Sequence, residues 1–154
     1  MRVAIGQDSH RFVAENCGKK LILGGVVFED AVGLEGNSDA DVVLHAVTNA
    51  VSGITCKNVL GKVADELCKQ GITDSEVYLR KALEDLKYEI IHLSISIECK
   101  TPKITPKIEK MRANIARILK IKENEVGITA TTGEGLTDFG RGNGISVFCV
   151  ITTK

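Results

Sequence analysis

The spacing of apolar and polar positions changes period several times along the chain. Arg2-Val3-Ala4-Ile5 alternates loosely and is β-branched at Val3 and Ile5, which predicts a strand. Two apolar runs, Leu21-Ile22-Leu23 and Val26-Val27-Phe28, flank Gly24-Gly25 and predict a hairpin. Val42, Val43, Ala46, Val47, Ala50 and Val51 then recur at helical spacing and predict a helix from about Asp39 to Ser52. Ser38, with Asp41 three residues on, resembles a capping box at its start. Residues 55–73 are the least regular, broken by Gly61 and Gly71 and charged at Lys57, Lys62, Asp65, Glu66 and Lys69. A loop with a helical turn is expected there, mobile and lying beside the functional site. Val77, Leu79, Leu83 and Leu86 predict a helix over 75–86, capped by Thr73 or Asp74. Strict alternation from Ile91 to Glu98 predicts a strand over 89–99. Thr105-Pro106 starts a helix with threonine as N-cap and proline at its first position, apolar at Ile108, Met111, Ile115, Ile118 and Leu119. Strands over 125–130 and 145–151 complete the pattern.

At 154 residues the chain is expected to form one domain, residues 1–154, with a substantial core. Lys plus Arg and Asp plus Glu number 20 each, so the strong positive field of a non-specific nucleic-acid binder is lacking. Aromatics are 4% of residues and Trp is absent, which argues against base-stacking platforms. No apolar run approaches membrane-spanning length, and the first residues read as a strand, not as a signal peptide. The five cysteines are widely spaced, without a C-x-x-C pair, and are expected to be reduced thiols of a cytoplasmic protein. Neither nucleic acid nor membrane is an expected partner.

Candidate chemistry begins with Asp8 and His10. Two apart on a strand, a carboxylate and an imidazole project from the same face, a pair suited to a divalent metal such as zinc. A catalytic zinc usually takes three protein ligands, and the chain has only two further histidines. His45 lies in the first predicted helix, on a polar stripe with Asp41 and Asn49 at i−4 and i+4. It is the candidate third ligand, with Asp41 in reach of its second ring nitrogen. His92 shares a strand face with Ser94, Ser96 and Glu98 and reads as solvated. The segment from Thr131 to Gly144 holds five glycines among threonine and arginine donors, which suits close approach to a phosphate. Glu134 within it would hold a hard cation such as magnesium against that phosphate. The plainer reading is a Gly-rich hairpin before the last strand.

Taken together, these residues resemble the 2-C-methyl-D-erythritol 2,4-cyclodiphosphate synthase family of the non-mevalonate isoprenoid pathway, in order and over nearly the whole length. Asp8-Ser9-His10 resembles its D-x-H pair, and Leu21-Ile22-Leu23-Gly24-Gly25-Val26 its early hairpin. Ser38-Asp39-Ala40-Asp41-Val42-Val43-Leu44-His45-Ala46 is similar to S-D-G-D-V-x-x-H-A, and Pro102-Lys103 to a turn near the nucleotide. Ala130-Thr131-Thr132-Gly133-Glu134-Gly135-Leu136 resembles A-T-T-T-E-x-L-G, and Gly140-Arg141-Gly142-Asn143-Gly144-Ile145 resembles G-R-G-E-G-I. The chain departs from the family at Asn37, where a histidine is usual, at Asn49, where an aspartate is common, and at Asn58-Val59-Leu60-Gly61, which replaces G-D-I-G. The family's F-P-D-T-D segment is absent, with Ala64-Asp65-Glu66 in its place.

The resemblance implies an α+β fold, a four-stranded mixed sheet with helices on one face plus a small hairpin, assembled as a homotrimer with active sites between subunits. It implies a lyase that cyclises a cytidine diphosphate substrate with release of CMP. Zinc would sit on Asp8, His10 and His45, and magnesium or manganese on Glu134 with the substrate diphosphate. Thr132 and Asn37 would be catalytic. Substrate contacts would come from Asp8, Ser9, His10, Asn37, Ser38, Gly61, Pro102, Lys103, Ala130, Thr131, Thr132, Gly133, Glu134 and Arg141. An isoprenoid diphosphate on the trimer axis is a further implied partner. Two other functions use the same residues: a zinc-dependent phosphohydrolase, and a non-catalytic metal- or phosphate-binding descendant of the synthase.

Overall fold

The computed structural model describes residues 1–14 and 17–154. Its main sheet has four strands in the order β1 (Arg2–Arg11), β6 (Gly144–Thr153), β4 (Ile90–Glu98) and β5 (Val126–Thr131). The β1–β6 and β6–β4 pairs are antiparallel and β4–β5 is parallel. The two short strands β2 (Leu21–Leu23) and β3 (Val26–Phe28) form a separate hairpin. Among the described residues, four α-helices complete the fold: α1 (Val42–Thr55), α2 (Lys62–Lys69), α3 (Ser75–Leu83) and α4 (Ile108–Leu119). The expected α+β class, mixed sheet and hairpin are therefore present. Among the described residues no helix is long and apolar enough to cross a membrane.

Period-2 alternation decides which face of the sheet is covered. Leu93, Ile95 and Ile97 of β4 and Val147, Cys149 and Ile151 of β6 are buried against the helices. Among the described residues, no helix covers the opposite face. His92, Ser94 and Ser96 are exposed there, as expected for His92, together with Val3 (58%), Ile5 (63%), Phe148 (50%) and Val150 (38%). Cross-strand register places Ile5 opposite Val150, and Val150 opposite Ser94.

On the covered side, α1 lies directly on β1. A Cβ at Gly6 would stand 2.0 Å from the Ala46 carbonyl oxygen and 2.4 Å from the Ala50 nitrogen. Only glycine lets strand and helix approach this closely. The contact fixes the height of α1 above the strand, and His45 rides on that helix.

Three expectations and one alternative reading are corrected. Thr105 is not a helix N-cap: it opens a 3-10 turn, Thr105–Lys107, that has no side-chain cap, and α4 follows from Ile108. The first helix begins at Val42, not Asp39, because Asp41 is its N-cap: the carboxylate accepts from the Leu44 N–H at 3.0 Å. Ser38 instead accepts from the Ala40 N–H two residues on. Residues 55–73 are not a loop with one turn, since α2 occupies Lys62–Lys69; only Ala64 of it is buried. The Gly-rich segment is not a hairpin, since β5 and β6 are separated by β4 and the segment crosses the end of that strand. There the Lys100 N–H bonds to the Phe139 carbonyl, and Thr137 donates to Glu98 Oε1 at 2.9 Å.

Candidate active site

β1 delivers Asp8 and His10 to the face that α1 covers, and α1 delivers His45 to meet them. Asp8 Oδ2 lies 2.9 Å from His10 Nε2 and 3.1 Å from His45 Nδ1, and the two ring nitrogens are 3.3 Å apart. Among the described residues this is the one group of three or more ligating side chains that could hold a metal ion. Each imidazole is tied down at its other nitrogen. His10 Nδ1 donates to the Glu35 carbonyl at 2.7 Å, and His45 Nε2 donates to Ser75 Oγ, also at 2.7 Å. With both outer nitrogens used as donors, the inner nitrogens are the ones that face Asp8, and once free of a proton they would present lone pairs to a shared point. One carboxylate oxygen and two imidazole nitrogens form a donor set that fits a catalytic divalent cation of the zinc type.

The polar stripe on α1 does not support His45 as the sequence suggested. Asp41 is fully buried and its carboxylate is taken up by the Leu44, Gly24 and Gly25 amides. Burial pushes its pKa up to about 6 against those donors. Asn49 donates to the Gln7 carbonyl. The partner of His45 is Ser75, thirty residues along the chain and wholly buried, whose hydroxyl in turn donates to Asp39. No local spacing signals that contact.

The electrostatics of the triad follow from its geometry. Burial raises the Asp8 pKa, but hydrogen bonds from His10 and His45 outweigh it and bring the carboxyl down to about 2. The hydrogen bond to Asp8 raises the His10 pKa, against the opposing effect of burial.

The other candidate residues fall into two groups. Pro102, Lys103, Ala130, Thr131 and Thr132 come together around a cavity of about 270 Å³, with Cys99 and Lys100. Gly133, Glu134 and Gly135 follow in a 3-10 turn with φ of 75°, 53° and 72°. Glu134 is exposed and takes a left-handed conformation that costs a non-glycine residue about 1 kcal/mol. Strain of this kind clusters at functional sites. Asn37 lines a different hollow, of about 420 Å³, with Asp65, Cys68 and Lys69 of α2. Ser9 and His10 border a third, of about 240 Å³, with Asp138, Phe139 and Asn143 from the far half of the Gly-rich segment. Arg141 is exposed and paired with Asp138, and Gly61 precedes α2 at φ 105°.

β1, β4 and β5 run in the same direction, so the metal triad and the Thr131–Thr132 cavity lie at the same end of the sheet. They lie at opposite edges. Three strand spacings, about 14 Å, separate β1 from β5.

The model of the YgbB family matches residues 1–154. The chain belongs to the YgbB family. Relatives of this YgbB chain include the 2-C-methyl-D-erythritol 2,4-cyclodiphosphate synthases of Chlamydia caviae and Chlamydia muridarum. Each is 53% identical over 98% of the chain, covering 88% and 86% of the relative. Among solved structures, a 2C-methyl-D-erythritol-2,4-cyclodiphosphate synthase superimposes with a TM-score of 0.87 at 27% identity, over 99% of this chain and all of the other. The CDP complex of Plasmodium falciparum IspF gives 0.82 at 25% identity, over 97% and 93%. The chain also matches 41% of the bifunctional IspDF of Campylobacter jejuni, with a TM-score of 0.86 at 27% identity over 97% of this chain.

Proposed function

We propose that this YgbB protein is a metal-dependent phosphorus–oxygen lyase. It converts 4-diphosphocytidyl-2-C-methyl-D-erythritol 2-phosphate to 2-C-methyl-D-erythritol 2,4-cyclodiphosphate and CMP. The observation that carries the reading is the convergence of Asp8 Oδ2, His10 Nε2 and His45 Nδ1 on one point, in a chain 53% identical to synthases of that name.

The reaction closes a ring within one molecule. An oxygen of the 2-phosphate attacks the β-phosphorus, the bond from that phosphorus to the CMP oxygen breaks, and CMP leaves with the electron pair. Water is not consumed and no protein nucleophile is needed. Two anionic groups must meet, so positioning and charge stabilisation dominate the barrier. Asp8, His10 and His45 would hold a divalent cation of the zinc type, which would supply Lewis acidity toward a phosphate oxygen. The CDP complex of the Plasmodium relative supports a cytidine nucleotide as partner, and the cavity at Pro102, Lys103, Ala130, Thr131 and Thr132 takes the cytidine end. Thr132 donates its hydroxyl to charge developing on phosphorus, and Gly133 lets the backbone approach. Glu134 would hold a hard cation such as magnesium or manganese, which would neutralise diphosphate charge. Ser9, Asn37, Ser38 and Gly61 contact the erythritol side, with Asn37 acting beside the attacking phosphate, and Arg141 contributes positive charge.

A homotrimer brings the two halves together. The apolar patch of Val3, Ile5, Phe148 and Val150 on the bare sheet face supports a subunit interface. The 14 Å separation across the sheet supports a site in which the cytidine cavity of one chain faces the metal triad of the next.

The test is metal removal and return. Chelation is expected to abolish CMP release, and zinc and magnesium together to restore it. Full turnover by the chelated protein would refute the reading.

A further inference from the structure

His45 is held by more than a single acceptor. Its Nε2 donates to Ser75 Oγ at 2.7 Å, and the Ser75 hydroxyl donates to Asp39 Oδ1. The other oxygen of Asp39 accepts the Ser75 backbone N–H at 3.0 Å, and Asp39 Oδ1 also accepts the Asp41 N–H at 3.0 Å. The Asp39 N–H reaches back to the Thr73 carbonyl at 2.9 Å. Ser75 is fully buried at the first position of α3. One carboxylate, on the turn that leads into α1, therefore does two things. It caps α3 from outside that helix, and it orients the hydroxyl that His45 addresses.

Hydrogen-bond direction makes this a lock. A serine hydroxyl has one proton, and the carboxylate of Asp39 takes it. The lone pairs left on Ser75 Oγ then face His45 and accept only from an Nε2–H. In the neutral imidazole, the form that ligates a metal, that fixes the tautomer whose Nδ1 lone pair points toward Asp8 and His10. We propose that Ser75 and Asp39 are positioning residues for the metal centre. As a relay they hold His45 in its ligating tautomer and orientation, and they make metal affinity depend on the docking of α3. The inference rests on the metal reading of the triad.

The test is a zinc titration of the folded full chain against a chromophoric competitor, for wild type, Ser75→Ala, Asp39→Asn and the double variant. Loss of such an outer partner typically weakens metal affinity by roughly 10–100-fold. Ser75→Ala is expected to weaken zinc in that range and Asp39→Asn to weaken it as well. Because the two act in series, the double variant is expected to be no weaker than Ser75→Ala alone. A merely structural role would lower the melting temperature without moving the zinc Kd. Unchanged Kd in the single variants, or losses that simply add in the double variant, would overturn the relay.

A second measurement needs no variant. In the zinc-loaded wild type, the His45 Nε2 proton is buried and hydrogen-bonded, so it is expected as a slowly exchanging imidazole signal. A rapidly exchanging proton would overturn the proposal. A wild-type protein that binds no zinc would sink the triad itself, whereas zinc binding indifferent to Ser75 sinks only the relay.

Discussion

Asp8 sits between two imidazoles, and that position sets the response of the centre to pH. Burial raises the Asp8 pKa, but hydrogen bonds from His10 and His45 outweigh it and lower it to about 2 from 3.8, while the bond to Asp8 raises the His10 pKa above 6.5. In the metal-free protein the depressed Asp8 contributes stability present above pH 3.8 and lost as pH falls toward 2. The raised His10 contributes stability present in full below pH 6.5 and lost as pH rises through its folded pKa. The pair thus favours the metal-free fold most between those limits. A metal must displace the proton on His10, so apparent zinc affinity is expected to fall on acidification, beginning above pH 6.5. Zinc titrations across pH 5–8 check this; a flat profile would contradict it. For the second cation, Glu134→Gln keeps size and polarity but removes the charge a hard ion prefers. It is expected to raise the magnesium requirement steeply and leave zinc content unchanged. Thr132→Ala is expected to lower kcat as well as kcat/KM, by up to about 3 kcal/mol in barrier. Steady-state kinetics at limiting magnesium separate the two effects.

At the scale of elements, the α1–β1 contact decides whether the triad forms. Gly6→Ala places a methyl group within 2.4 Å of the helix backbone at Ala46 and Ala50, atoms that no rotamer change can move away. Overpacking of this kind costs about 1–3 kcal/mol, and backbone opposition puts this case toward the upper end. The displaced α1 carries His45 with it, so the variant is expected to lose both melting temperature and zinc affinity. Calorimetry and zinc titration on one preparation measure both. The same contact shows what was legible in the sequence. The strands, α1, α3 and α4 were readable because their buried faces repeat at 2.0 or 3.6 residues. The triad was readable because Asp8 and His10 share a strand face and His45 was one of only two histidines left. α2 was not readable, since only Ala64 of its eight residues is buried and no apolar period marks it. Ser75 and Asp39 were missed because the link to His45 spans 30 residues, while Asp41, within local reach, is consumed as a helix cap. The crossing of 131–144 over β4 depends on strand order, which spacing along the chain does not encode.

At the scale of the whole molecule, the account depends on what covers the bare sheet face. Phe148 is half exposed in an apolar patch, and a charge buried there between subunits would lack a partner. Phe148→Asp is expected to convert a species of three times the chain mass to monomer in sedimentation, with zinc binding kept and CMP release lost. Refolding His45→Ala chains together with Thr132→Ala chains is expected to give more activity than the two variants refolded apart, because some sites then receive both intact halves. A site contained in one chain would show no gain over the separate variants. The cyclisation itself is tested most directly by product analysis in ¹⁸O-labelled water, with the cytidylated substrate, zinc and magnesium. The account predicts CMP and 2-C-methyl-D-erythritol 2,4-cyclodiphosphate in equal amounts, with no label in either phosphate. Linear phosphate products carrying ¹⁸O would contradict it and identify the centre as a hydrolase.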